Sequence, residues 1–351
     1  MKVLVVVPSL ANKGPVRVAQ EITNALTRSN ISCEVWYFDP TEELPFNCIT
    51  RRIRFFGDTD TSGFDVIHSH GIRPDAWVAK KRLFGGRAGC MTTIHNYVDL
   101  DLKFQYNWGV ALIFSRVWRF LWMFQNRMIV LSEDALKYYQ KQFPADKLLV
   151  IGNGLADHSP SALADEDEVP IREIKRKHFV FGACAQVTER KGFEQIIAAL
   201  VRHPDCAFVL VGDGPALIHL QEQAKSIGVS DRCIFLGFRQ NARDFLPHFD
   251  SAILPSRSEG FPLSFIEAAA AGRPVLLSDI PVFREIAPKG TAVFFRLDDP
   301  ASLDDAILVL RESRIDLARK IRALYEKSFT VERMAFKYVD CYRQLAGKQH
   351  V

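Results

Sequence analysis

The chain has 351 residues, 48% of them hydrophobic and 25% charged, a balance that excludes a disordered chain and supplies enough apolar material for two cores. Its 45 Lys and Arg stand against 41 Asp and Glu, a net charge of +4 without the dense basic stripe of a nucleic-acid binder. So mild a basic excess suits an anionic small molecule or a lightly docked anionic surface.

Residues 3–7 are an unbroken apolar run, the pattern of a strand buried on both faces of a parallel sheet. One basic residue precedes the run, and a turn follows at once. That is too short for a signal peptide, so a cytoplasmic location is expected, with the inner face of the cell membrane as a refinement. A loop at 9–14 leads into a helix over about 16–28, where Val18, Ile22 and Leu26 share a face. Further strands are predicted at 33–38, 65–68, 90–94, 128–131 and 148–151, a βαβ rhythm that implies a doubly wound sheet. Between them, 106–124 is an aromatic-rich stretch containing Trp108, Phe114, Trp118, Phe120, Trp122 and Phe124, with Arg116 and Arg119 on one helical face. It is short of the ~20 apolar residues of a membrane span. Two readings stay open for it: a packed helix with snorkelling Arg heads, or an interfacial helix in peripheral membrane contact. Ser132-Glu133 is a helix-capping signature.

From 157 to 173 the composition turns to Pro, Ser and an acidic run at 165–168, which reads as a solvated linker over 158–175. A second βα series follows, with strands at 178–182, 207–211, 233–236, 251–254, 275–277 and 292–295. The predicted organisation is a first domain at 1–157, the linker, and a second domain at 176–330, with an amphipathic helix at about 331–349 packing back on the first domain. Ligands of such sheets bind at the carboxyl ends of the strands. The seven cysteines contain no Cys-x-x-Cys, which argues against a disulfide framework or a zinc site.

The most informative segment is 256–274, Ser-Arg-Ser-Glu-Gly-Phe-Pro-Leu-Ser-Phe-Ile-Glu followed by an Ala-rich run, Gly272 and Pro274. Gly272 stops the helix and Pro274 forbids its continuation. Glu259 therefore lies in a loop and Glu267 on the helix. The amides of Phe261, Pro262, Leu263 and Ser264 are assigned to the helix N-terminus, an anion site suited to a diphosphate.

In company, these pieces resemble the Glu-x7-Glu signature of family four (GT4) retaining glycosyltransferases of the GT-B fold. Thr188-Glu189-Arg190-Lys191-Gly192 is similar to the family's Lys-Gly turn, and Leu210 to Pro215 to its Gly-x-Gly-Pro loop, which contains Gly212. Leu236-Gly237-Phe238 resembles its base-contacting segment and Asn153-Gly154 its interdomain turn. The resemblance implies an α/β fold of two Rossmann-like, doubly wound parallel-sheet domains facing a central cleft. It also implies that Glu267 binds the ribose hydroxyls, Glu259 contacts the donor sugar, and Lys191 neutralises the diphosphate leaving group. Phe238 then lies against the base, and His95, in Thr92-Thr93-Ile94-His95-Asn96, stands near the sugar. Where the family carries an Arg before that Lys, this chain has Ala185 and Gln186. Arg190 takes over the phosphate contact, or Gln186 gives a neutral hydrogen bond. A family glycine pair is reduced here to Gly14 followed by Pro15, and Gly14 still permits close backbone approach. Lys13 and Arg17 are candidate phosphate or acceptor contacts. For His68 and His70, cleft lining or acceptor contact is preferred over metal.

The activity so implied is a metal-independent, retaining glycosyltransferase. It moves a sugar from a nucleotide-sugar, UDP-linked for preference, to a saccharide or lipid-linked saccharide acceptor in cell-surface polysaccharide biosynthesis. No cofactor, no metal site and no nucleic-acid partner are expected, because no Asp-x-Asp is read as holding a metal under the donor. The alternatives are a non-catalytic sugar-nucleotide-binding scaffold and a GT-B sugar-nucleotide epimerase. A nicotinamide dehydrogenase is set aside because neither opening strand is followed by Gly-x-Gly-x-x-Gly.

Overall fold

The structure is a computed structural model that describes residues 1–57, 59–99 and 108–347. It divides into two compact units, 1–156 with 329–351, and 157–328.

In the first unit the strands are β1 (Lys2–Val7), β2 (Ser32–Tyr37), β3 (Ile49–Arg52), β4 (Val66–Ser69), β5 (Gly89–Ile94), β6 (Arg127–Val130) and β7 (Leu148–Val150). Among the described residues they form one parallel sheet of order β3-β2-β1-β4-β5-β6-β7. The helices between them are α1 (Gly14–Arg28), α2 (Ile72–Leu83), α3 (Trp108–Trp122) and α4 (Glu133–Tyr139). Val3 to Val7 are fully buried, as an unbroken apolar run on a central parallel strand requires. Strand β3 has no counterpart in the sequence reading. Its four residues, Ile-Thr-Arg-Arg, are exposed at the sheet edge and carry no apolar pattern. Ser132 caps α4 by accepting from the Ala135 amide at 3.0 Å, as the capping signature predicts.

The second unit starts with α5 (Asp165–Lys175), then β8 (Phe179–Cys184), α6 (Glu194–Ala199), β9 (Cys206–Val211), α7 (Leu217–Ser226), β10 (Cys233–Gly237), β11 (Ser251–Leu254), α8 (Leu263–Ala270), β12 (Val275–Ser278), α9 (Pro281–Ile286), β13 (Val293–Phe295) and α10 (Pro300–Ser328). Its sheet is parallel, in the order β10-β9-β8-β11-β12-β13. Helix α5 corrects the linker reading of 158–175. The acidic run occupies the first turn of a helix, where it complements the helix dipole. Ile171 is buried, and Asp167 is buried in a two-pronged ion pair with Arg239 at 2.8 Å. The core of this sheet is tight enough that a Cβ on Gly182 of β8 would stand 1.9 Å from the buried Phe249 ring.

The chain then returns to the first unit. Helix α11 (Val331–Gly347) buries Tyr338, Tyr342 and Leu345 there. Gly154 allows its start to pass, since a Cβ at that position would sit 2.4 Å from the Thr330 carbonyl oxygen.

Candidate functional site

The order of the second sheet reverses between β8 and β11, its first and fourth strands. Ligands of open α/β sheets bind at the carboxyl end of such a switch point. The loops leaving both strands meet there. The Arg257 amide donates to the Arg190 carbonyl at 2.8 Å. Gly192 ends the short 3-10 turn Glu189–Lys191 with φ of 67°, and a Cβ on it would lie 2.3 Å from the Pro255 carbonyl oxygen. Only glycine combines that backbone with that approach. The Lys-Gly pair is therefore one device: Gly192 brings the loops together, and Lys191 reaches across.

What Lys191 reaches is Glu259. The carboxylate is 6% exposed and accepts from Lys191 Nζ at 2.6 Å, from Ser256 Oγ at 2.7 Å and from Arg190 Nη1 at 3.0 Å. Arg190 also donates to the Ser258 carbonyl. Burial pushes the Glu259 carboxyl up, but the two cations outweigh it and hold its pKa at about 2. Glu259 is therefore an ionised acceptor at any working pH, and it has no proton to give. Arg190, read as a substitute phosphate contact, uses its Nη1 on Glu259 and on the Ser258 carbonyl. Gln186, offered for the same purpose, lies exposed in the loop after β8.

Helix α8 begins beside this cluster. Pro262 occupies its N-cap and has no N–H, which corrects the assignment of an amide to that residue. Leu263 and Ser264 carry first-turn amides, which have no acceptor inside a helix. Ser264 lines a small crevice with Ala183, Ala185, Lys191, Leu254 and Ser256. Phe261 is buried at the turn. On the same helix, Glu267 is 4% exposed, with Arg243 Nε 3.8 Å from its carboxylate. Both residues border a cavity of about 220 Å³ whose wall also includes His158, Pro160 and Leu246.

Gly212 does not face open space. A Cβ there would stand 1.8 Å from the Ala185 carbonyl, and one on Gly214 2.2 Å from that of Val187. The Gly-x-Gly-Pro loop thus braces the loop that carries Gln186 and, further on, Lys191. Phe238, after β10, is 59% exposed.

In the first unit, Gly14 opens α1 with open space around its Cα, and Lys13 is exposed. His68, His70 and His95 end β4 and β5 as one stack. His68 and His70 lie 4.2 Å apart between ring centroids, and His70 and His95 lie 5.1 Å apart, near parallel at 29°. Burial lowers all three: His68 and His95 to about 3, and His70 well below its ordinary value. They are neutral imidazoles.

Residues 106 and 107 of the aromatic stretch lie outside the described residues. Helix α3 combines features of both readings. Inward, Trp118 and Trp122 donate to the buried Asp75 at 2.6 and 2.9 Å. Arg119 is not part of an outward basic stripe, because Asp99 holds it in an ion pair. Outward, Ile113, Phe114, Val117, Phe120 and Met123 are exposed, with the exposed Arg116 among them. Among the described residues no helix is long and apolar enough to cross a membrane.

Three Asp-x-Asp tripeptides exist, at 58–60, 99–101 and 165–167. Of their described members, Asp60 is held by Ser62, Asp99 by Arg119 and Asp167 by Arg239, while Asp165 is exposed in the first turn of α5. His203, Asp205 and Cys206 lie close enough to hold a cation, but Asp205 pairs with Arg311 and His203 with Asp304. Sequence reasoning missed Ser256 and Arg243 as partners of the two glutamates. Ser256 stands inside the recognised segment; Arg243 sits in a 3-10 turn without any local signal.

Comparison with known proteins follows the same division. Residues 12–158 match the family described as Glycosyltransferase Family 4, and residues 164–327 match Glycosyl transferases group 1. The O-antigen biosynthesis glycosyltransferase WclY of Escherichia coli is 31% identical over 98% of this chain and 99% of its own. The UDP-Gal:alpha-D-GlcNAc-diphosphoundecaprenol alpha-1,3-galactosyltransferase of E. coli is 25% identical over 62% of this chain and 58% of its own. The crystal structure of Anabaena HepE in complex with UDP and glucose superposes with a TM-score of 0.78 at 19% identity, covering 97% of this chain and 99% of the other.

Proposed function

This chain belongs to glycosyltransferase family 4, and from that premise we propose that it transfers a sugar from a UDP-sugar to a saccharide acceptor carried on a lipid, in the assembly of a cell-surface polysaccharide. The observation that carries this reading is that Lys191, gripped by Glu259, shares a crevice at the switch point with Ser264 of the first turn of α8. Lys191 has three ammonium hydrogens and gives one to Glu259, which leaves donors for phosphate oxygens. As the bond to the sugar breaks, the diphosphate gains negative charge. In this reading the amides of Leu263 and Ser264 and the Lys191 ammonium stabilise that charge. This arrangement supports departure without a divalent cation.

Glu259 accepts sugar hydroxyls. Three donors hold it and its pKa is about 2, so it is a poor nucleophile and no acid. That supports retention by attack on the face from which the diphosphate leaves, the phosphate taking the acceptor's proton. Glu267, steadied by Arg243 at the edge of the cavity, takes the ribose hydroxyls, and Phe238 lies against the base. Within the first unit, Gly14 is read as a phosphate contact and His95 as a contact to a sugar oxygen. The acceptor reading draws on the galactosyltransferase relative, whose name gives a diphosphoundecaprenol-linked substrate. The O-antigen relative supports the polysaccharide setting. The exposed apolar face of α3 supports peripheral contact with the lipid surface that holds such an acceptor.

The test is nucleotide release and product mass with UDP-sugars, a lipid-linked saccharide and excess chelator, compared with Glu267→Ala. We expect chelator-resistant UDP release, product with the donor's anomeric configuration, and loss of UDP affinity in the variant. UDP binding without any release identifies a scaffold instead, and unchanged UDP affinity in the variant sinks the ribose assignment.

A further inference from the structure

The histidine stack of the first unit has an internal logic that the transfer reaction alone does not assign. His68 has both ring nitrogens occupied, Nδ1 by the Tyr342 hydroxyl and Nε2 by the Thr93 hydroxyl, each at 2.8 Å. Thr93 in turn meets the Tyr338 hydroxyl at 3.0 Å. His68 is therefore a fixed wall. His70, 0% exposed, packs against that wall with its ring tilted by 41° and places Nδ1 2.9 Å from His95 Nε2. His95 is half-buried, at the end of β5.

A hydrogen bond between two neutral imidazoles has one proton and two assignments. If His95 donates from Nε2, His70 must carry its own proton on Nε2. That atom is buried and has no hydrogen-bond partner among the described residues. A buried N–H without an acceptor is among the rarest defects in folded proteins. If His70 donates from Nδ1, its Nε2 holds only a lone pair, and the buried N–H disappears. His95 then carries its proton on Nδ1.

We propose that His70 is a positioning residue for His95: it donates its Nδ1 proton to His95 Nε2 and so fixes the tautomer in which His95 presents an Nδ1–H donor to an oxygen acceptor of the sugar ligand. This rests on the reading of His95 as the sugar contact, but the tautomer is a property of the ligand-free protein. A ring held by a stacked neighbour and set to donate selects a ligand oxygen that offers a lone pair.

The experiment is a long-range proton–nitrogen correlation spectrum of the full chain labelled with 15N-histidine, without ligand, the rings being assigned from single substitutions. The expected pattern for His95 is a protonated Nδ1 and a bare Nε2. In His70→Leu, His95 should lose the fixed pattern and show both tautomers. His70→Asn keeps a donor near the Nδ1 position and should restore it, which also covers the case in which the leucine variant fails to fold. A protonated Nε2 on His95 in the parent protein overturns the proposal. So does a His95 pattern that ignores both substitutions. In turnover, His95→Asn should keep much more activity than His95→Gln, because only Asn places an amide near Nδ1. If the spectra hold and the two turnover variants are equal, the sugar-contact reading fails and the positioning stands.

Discussion

Lys191 Nζ lies 2.6 Å from Glu259 Oε1, and this contact joins two loops that are 68 residues apart in the chain. Each partner is buried more deeply than either would tolerate alone, because an unpaired buried charge is costly. The pair is thus part of the fold as well as of the proposed chemistry.

Lys191→Met should therefore lower kcat by about 10²- to 10³-fold, the scale for loss of one preorganised donor to developing charge. It should also lower stability, since Glu259 keeps only Arg190 and Ser256. Steady-state kinetics and urea unfolding on the same preparation separate the two effects. A variant that loses stability and keeps kcat places Lys191 in the structure alone.

Gly192→Ala tests how the pair is assembled. The new methyl meets the Pro255 carbonyl and forces an L-residue to keep a φ of 67°. The expected cost is about 1–3 kcal/mol for the strained backbone, with more for the clash. Melting temperature should fall, and donor affinity should fall with it as Lys191 draws away from Glu259. Calorimetry and a UDP titration measure both.

The histidine stack predicts an acid limb in stability. His68 and His95 have folded pKa values of about 3, while an unfolded histidine titrates near 6.5. Between those values the unfolded chain binds more protons. Stability is therefore complete above about 6.5 and is lost as pH falls toward 3, with a limiting slope of about 1.4 kcal/mol per pH unit for each histidine. Glu259, depressed to about 2, adds its own loss only below the unfolded carboxylate range. Urea midpoints at stepped pH should show this slope, and it should flatten in His68→Gln. An unaltered slope in that variant assigns the acid limb to other groups.

Asp75 is fully buried and held by the Ser69 hydroxyl and the indoles of Trp118 and Trp122. Burial raises its pKa, opposed by those donors. Trp122→Phe should lower stability by about 1–3 kcal/mol through the hydrogen bond lost by a buried carboxyl. Exposure of α3 to protease and chemical denaturation report the loss. By contrast, Phe120→Ser on the outward face should leave stability nearly unchanged while weakening association with anionic vesicles.

Much of this was legible in the amino-acid order. Buried strands such as β1 announce themselves by apolar runs, and the Ser132 cap and the Gly272 stop by local chemistry. The Glu259–Glu267 segment, with Lys191 and the Gly212 loop, was enough to indicate the family. These are short-range patterns, and a linear reading captures them. Tertiary structure decided what each group touches. Arg190 and Arg119 each pair with a carboxylate, and Gly212 packs against a neighbouring backbone. The acidic run at 165–168 begins a helix, Arg243 stands beside Glu267, and three histidines from two strands become one stack. The physical reason is range. Periodicity and capping act over one turn or one strand. Ion pairing, burial and tautomer choice depend on atoms that only chain folding brings within about 3 Å of one another.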